Sequence, residues 1–172
     1  MINMFRSDGR NSSYGPLADA IRYRVQHGAY RIKRVLIVDD SKDVAHGLKE
    51  FLTNHLGLNV GVVISSGRAY HYLRRALREG KPFQLIISDV ELGTRSDDGF
   101  LILTKARQLD PRIRTILTSS MASTTIHPCE HADFTLHKGK KDMLTELLLL
   151  IDRLEARFHM KEMQPLVEPP RG

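Results

Sequence analysis

Asp39 and Asp40 follow directly on four apolar residues, Val35, Leu36, Ile37 and Val38, and a third carboxylate, Asp89, stands just past a second apolar run, Leu85–Ile87. Ser65 and Ser66, Thr118 and Ser119, and His137 with Lys138 stand in the same relation to three further runs. If these positions meet in one crevice, three carboxylates repel one another by roughly 4 kcal/mol per close pair at an effective dielectric near 20. Either one carboxyl holds a proton, or a hard divalent cation sits among them; Mg²⁺ suits one or two carboxylates with waters and a phosphate. Asp89, alone at its run's end, is a carboxylate that can attack phosphorus and form an aspartyl phosphate. Lys138 and the metal would neutralise charge on the transferring oxygens, which is most of what phosphoryl transfer asks of a protein. Thr118 can hydrogen-bond the new phosphoryl group.

The elements that must bring these residues together are legible as alternating patterns. The runs Val35–Val38, Val60–Ile64, Leu85–Ile87, Thr115–Leu117 and Phe134–Leu136 read as strands, and all but the last lack the alternation of a half-exposed strand. Between them, Val44, Leu48, Phe51 and Leu52 make one helical stripe, and Ala69, Leu73 and Leu77 make a second. A third helix begins at Phe100, after the Asp98-Gly99 turn. The segment Met121–Ala132 is weakly helical, interrupted by β-branched residues and Pro128. The last helix runs from Lys141 to about Met163. Five strands alternating with helices predict an α/β fold with a doubly wound parallel sheet, because parallel crossovers each need a helix and are nearly always right-handed. All parallel strands then end on one edge, where ligands bind in open sheets.

At 172 residues, the expectation is one domain with extensions. Hydrophobic content of 41% and charged content of 27% are ordinary for a globular chain. The single cysteine, Cys129, rules out an internal disulfide and fits a reducing compartment. No apolar run is long enough to span a bilayer, and MINMFRSDGR has no apolar signal core, so the expected location is cytoplasmic. The net charge of +6 suggests a polyanion partner only if it is spread over the fold. It is not: residues 1–34 hold seven basic residues against two acidic ones, so the remainder nets only +1. The body of the chain gives no electrostatic reason to expect nucleic acid.

The segments VLIVDDS, LIISDVELG with a downstream DG, TILTSS and FTLHKG resemble, in order and spacing, the receiver domain of two-component response regulators, over roughly Arg34 to Leu154. The resemblance implies a flavodoxin-like sheet of order 2-1-3-4-5. It implies that Asp39, Asp40 and Asp89 hold Mg²⁺ together with the backbone carbonyl of Glu91, and that Asp89 is phosphorylated by a histidine kinase or a histidine phosphotransfer protein. Thr118 then responds to the phosphoryl group and Lys138 contacts it. Three positions depart from the family's pattern: Gly139 replaces the proline after the lysine, often a cis bond in the family; Gly93 stands where a proline often follows the acceptor; and Thr135 occupies the aromatic switch position. Phe134 is next door, and alternation along the strand points it to the other face.

Residues 34–155 are expected to form the receiver, with residues 156–172 completing the last helix and a proline-rich tail. Residues 1–33 form a basic extension with a helix at 16–27, where Leu17, Ile21 and Val25 share a face between Pro16 and Gly28. The expected function is a stand-alone signalling module, not an enzyme beyond its own phosphorylation and dephosphorylation, that acts on a downstream protein of unknown identity. The last helix, about 22 residues and about 33 Å long, exceeds what the core needs, leaving Leu154 and Phe158 for a homodimer or an extra intramolecular contact. Two alternatives stand beside this reading. One is a receiver-like interaction domain that works without phosphorylation. The other, disfavoured, is a Mg²⁺-dependent phosphatase of the haloacid dehalogenase type, which needs an acid two residues after its nucleophile; Ser41 and Lys42 stand at those positions after Asp39 and Asp40. A zinc site at His127, Cys129 and His131 lacks a paired partner elsewhere and is disfavoured as well.

Overall fold

In the computed structural model the described residues are 15–93, 98–120 and 132–162. Ten elements follow in the order α1 (Gly15–Gln26), β1 (Arg34–Val38), α2 (Lys42–Leu56), β2 (Asn59–Val63), α3 (Ser66–Arg78), β3 (Leu85–Asp89), α4 (Asp98–Leu109), β4 (Arg114–Ser119), β5 (Phe134–His137) and α5 (Met143–Glu162). The strands form one parallel sheet of order β2-β1-β3-β4-β5, as the alternating pattern and the motif order led one to expect. The weak helical segment expected at Met121–Ala132 lies almost wholly outside the described residues.

Continuous apolar strands form because both faces are covered. Every residue of β3 and β4 is buried, whereas β2, at one edge, begins exposed and is buried only at Val60 and Val63. Along β1, Val35 and Ile37 point into the core under α2 and α5, while Leu36 and Val38 point into the core under α3 and α4. Leu85 and Ile87 of β3 join the first core and Ile86 the second, repeating the two-residue period. In β5, Phe134 and Leu136 both belong to the first core and Thr135 is exposed, so the aromatic side chain is indeed on the face opposite to Thr135.

Helix α1 adds to the α2 and α5 side. It contacts both helices, burying Ala18 and Ile21 and packing Leu17 and Val25 against the same core. The chain then turns through Gly28, at φ 74°, and buries Tyr30 and Ile32 before entering β1. The carboxylate of Glu155, on α5, accepts the backbone N–H groups of Arg31 at 2.6 Å and Ile32 at 3.0 Å, and Arg24 of α1 pairs with Asp152 of α5. Leu154 is fully buried in this core and Phe158 packs partly against it, so both serve the chain's own interior. No described helix is long and apolar enough to cross a membrane.

Candidate functional site

The carboxyl ends of β1, β3, β4 and β5 converge because register fixes them: Val38 lies opposite Ser88, Asp89 opposite Thr118, and Ser119 opposite His137. Asp39 therefore leaves β1 beside the last residue of β3. Its carboxylate is buried, accepting the N–H of Ser41 at 3.0 Å through Oδ1 and the Lys138 ammonium at 2.7 Å through Oδ2. Asp40 is exposed and its Oδ2 accepts the N–H of Gly93 at 3.0 Å. Asp89 is 8% exposed, and its Oδ2 lies 2.8 Å from Lys138 Nζ. Oxygens from Asp39, Asp40 and Asp89 all lie within 4.8 Å of one another, the one group of this kind among the described residues.

Lys138 reaches both buried acids because its own backbone is anchored. Its N–H donates to Ser119 O at 2.7 Å, continuing the β4–β5 ladder one residue past the strand. One ammonium between two carboxylates leaves the cluster net negative. Burial pushes the Asp89 carboxyl above the ordinary range; Lys138 opposes this, while the charges of Asp39 and Asp40 add to it. The crowding expected from the sequence is thus relieved only in part by Lys138, and the three carboxylate oxygens are the donor type that a hard divalent cation takes.

The other predicted positions are less closely joined. Thr118 is buried near the end of β4, and its hydroxyl donates to Ser88 O at 3.3 Å. Glu91 sits half-buried in the connection two residues past Asp89. Ser65 precedes α3 in an extended conformation with no side-chain cap. The His127, Cys129 and His131 triplet lies outside the described residues.

Three glycines complete the site through their backbones. Gly99, near the start of α4, approaches the Asp89 peptide so closely that a Cβ there would sit 1.8 Å from the Asp89 carbonyl oxygen. Gly93, at φ 74°, turns its N–H onto Asp40. Gly139 donates its N–H to His137 Nδ1 at 3.0 Å, a bond that a proline, lacking the N–H, cannot make. The Lys138–Gly139 peptide is trans, like every described peptide bond.

The response regulator receiver domain family matches residues 35–145. Among solved structures, a CheY-like response regulator receiver domain protein from Methanospirillum hungatei JF-1 is 26% identical, covering 74% of this chain and 99% of its own, with a TM-score of 0.54. A response regulator receiver protein from Sinorhizobium medicae WSM419 is 20% identical, covering 72% and 94%, with a TM-score of 0.59. A CheY-like receiver domain from Methylobacillus flagellatus is 23% identical, covering 70% and 99%, with a TM-score of 0.55. No curated protein matches the chain. With about two thirds of its length matched and the same strand order in place, the chain belongs to the response regulator receiver domain family of two-component signalling.

Proposed function

We propose that this receiver accepts a phosphoryl group on Asp89 and signals by changing a partner-binding surface. The observation that carries the reading is the meeting of Asp39, Asp40 and Asp89 oxygens within 4.8 Å, with Lys138 bridging the two buried acids. The donor set fits Mg²⁺: Asp39, Asp40, Asp89 and the backbone carbonyl of Glu91 would hold the ion. When bound, it supplies positive charge against the phosphoryl oxygens.

The phosphodonor is a phosphohistidine on a histidine kinase or a histidine phosphotransfer protein. An Asp89 carboxylate oxygen attacks phosphorus, a P–O bond forms, and the P–N bond breaks with its electron pair returning to the imidazole nitrogen, which takes up a proton. Lys138 stays beside Asp89 and holds positive charge against the incoming oxygens. The Thr118 hydroxyl, which donates to Ser88 O in the unmodified protein, turns to donate to the phosphoryl group. This moves β4 and the loop after it, and the partner surface with them. With Thr135 exposed at the switch position and Phe134 packed into the opposite core, the output does not depend on an aromatic side chain turning inward there.

The module acts on a downstream protein rather than as an enzyme on free substrates, and a single cysteine suits a cytoplasmic location. A homodimer through α5 would draw on Leu149, which is 44% exposed, rather than on Leu154, which is buried within the chain. The test is incubation with acetyl phosphate and Mg²⁺, read by intact mass, for the wild type and Asp89→Asn. A gain of one phosphoryl group that the variant lacks supports the reading. Steady hydrolysis of unrelated phosphate esters would favour the phosphatase alternative, and neither result would leave a receiver that works without phosphorylation.

A further inference from the structure

The outer edge of β2 is the floor of a groove of about 540 Å³. Among the described residues β2 pairs with β1 alone, and its hydrogen bonds show which backbone groups that pairing uses. Asn59 N–H donates to Lys33 O at 2.9 Å, and Val63 O accepts the N–H of Asp39 at 3.2 Å. In a parallel ladder the groups facing one neighbour recur at every second residue. Asn59, Gly61 and Val63 therefore face β1, while Val60 and Val62 turn their N–H and C=O groups outward into the groove, where no described strand meets them.

Helices α2 and α3 make the two walls. Lys42, His46 and Lys49 stand at i, i+4 and i+7 on α2 and so form one stripe along its groove side. Arg68 and Tyr72, four residues apart, do the same on α3. All five are exposed, and among the described residues no carboxylate lines the groove and Lys42, Lys49 and Arg68 make no ion pair. Gly61 lets the Tyr72 ring lie along the strand, since a Cβ there would sit 3.3 Å from it. Tyr72 and Ile64 give the groove exposed apolar surface.

An unpaired edge is ordinarily blunted by a charge or a proline on the strand itself, and NVGVV has neither. Here the charge sits on the flanking helices and is of one sign. A second copy docking its own β2 would bring the same cations against these, which disfavours self-pairing and favours an acidic strand. The spacing agrees. Along α2, Lys42 and His46 are about 6 Å apart and Lys42 and Lys49 about 10 Å. Same-face positions of an added strand repeat about every 7 Å, so carboxylates two residues apart run alongside the stripe.

We propose that the outer edge of β2 takes up an extended acidic segment of a partner protein as a sixth strand of the sheet. Val60 and Val62 supply its backbone hydrogen bonds, Lys42, His46 and Lys49 meet carboxylates at alternate positions, and the apolar residues between them lie on Tyr72. The contact needs neither phosphorylation of Asp89 nor a metal. It is a partner surface separate from the one proposed to respond to Asp89.

The test uses the full unphosphorylated chain in EDTA and, as the probe, a capped peptide alternating glutamate with valine, with amide hydrogen exchange read by NMR. In the chain alone the amides of Val60 and Val62 should exchange quickly while those of Gly61 and Val63, which face β1, are protected. Saturating peptide should slow exchange at Val60 and Val62 by about tenfold or more. N-methylation of the peptide's glutamates or of its valines blocks the N–H groups on one edge of the added strand or on the other, so one of the two should abolish binding and the other leave it. Lys42→Glu with Lys49→Glu should weaken binding by about tenfold or more, whereas Arg22→Glu with Arg153→Glu, the same charge change at exposed sites of α1 and α5, should leave it within about twofold. Failure of the peptide to bind overturns the proposal. So does an equal response to the two methylations or to the two double variants, or equal binding by a peptide with lysine in place of glutamate. Protection of Val60 and Val62 in the chain alone overturns it too: where it grows with protein concentration a second copy takes the edge, and where it is constant another segment of this chain does.

Discussion

Gly99 presses its backbone against the carbonyl of Asp89: an ideal Cβ at position 99 would lie 1.8 Å from that oxygen and 2.8 Å from its carbon. The start of α4 is thereby fitted directly onto the Asp89 peptide. Backbone is the obstacle, so no side-chain rotation can relieve the overlap. Gly99→Ala must move either α4 or the end of β3, lowering unfolding stability by about 2–3 kcal/mol. It should also slow acetyl phosphate labelling of Asp89. Gly67→Ala, in a helix with open space around the new methyl, serves as the control and should change stability by about 1 kcal/mol or less, toward stabilisation. Urea denaturation of the two variants checks this, and equal effects would remove the steric explanation.

Among the described residues, Lys138 is the one cation held between Asp39 and Asp89, at 2.7 and 2.8 Å. Lys138→Met leaves two buried carboxylates facing each other without it, which should cost about 2 kcal/mol at neutral pH after allowing for partial solvent access. Adding Mg²⁺ should raise the thermal midpoint of Lys138→Met more than that of the wild type, because the metal then relieves the larger repulsion. Differential scanning fluorimetry with and without Mg²⁺ reads both, and a variant indifferent to the metal would argue against these acids as its ligands.

Much of this arrangement is written locally. Four apolar residues running into Asp39-Asp40 specify a buried parallel strand ending at a polar edge, and five such endings place their residues on that edge whatever the loops do. The same two-residue period places Phe134 and Thr135 on opposite faces. What the sequence does not display is contact between distant segments. Glu155 looks like any polar residue on a long helix, yet it is 1% exposed, because its partners are backbone N–H groups more than a hundred residues away. Asp133 likewise reads as a strand-end acid, but Arg107 pairs with it at 2.9 Å and Arg157 lies 3.6 Å away, brought there by α4 and α5. Gly99 had a visible signal in the Asp98-Gly99 pair, which suggests a turn; that the glycine is needed for close approach to Asp89 depends on how α4 packs. Gly139 reads as a departure from a family pattern, and only the position of the His137 ring shows the bond its N–H makes.

Asp89→Asn should stabilise the metal-free protein at neutral pH. Burial, the largest influence, raises the folded-state pKa of Asp89 despite Lys138. The folded chain thus holds this proton more tightly than the unfolded chain does. Stability from this group is complete below the ordinary carboxylate pKa and is lost as pH rises through the raised one. Asparagine carries no charge to desolvate, and Lys138 keeps Asp39 as a partner. The thermal midpoint of the variant should exceed that of the wild type by a few degrees at neutral pH, and the gap should close as the solution is acidified through the carboxylate range. A gap that is constant with pH, or of the opposite sign, would contradict the assigned cause.

Glu155 is one of the bonds between the extension and the receiver. Its carboxylate takes the N–H groups of Arg31 and Ile32 at 2.6 and 3.0 Å in a buried setting, just where the chain leaves α1 for β1. Glu155→Ala strands two backbone donors and should weaken the docking of α1 by about 2–3 kcal/mol; Glu155→Gln, which keeps one carbonyl oxygen, should lose less. The sheet does not depend on this contact, since β1 is paired on both sides by β2 and β3. Hydrogen exchange should therefore quicken at Ala18, Ile21 and Ile32 in Glu155→Ala while Ile37 and Ile87 stay protected. Trypsin should also cut at Arg22 and Arg24 sooner. If those amides exchange as slowly in the variant as in the wild type, the apolar face of Ala18 and Ile21 is holding α1 in place without help from the carboxylate.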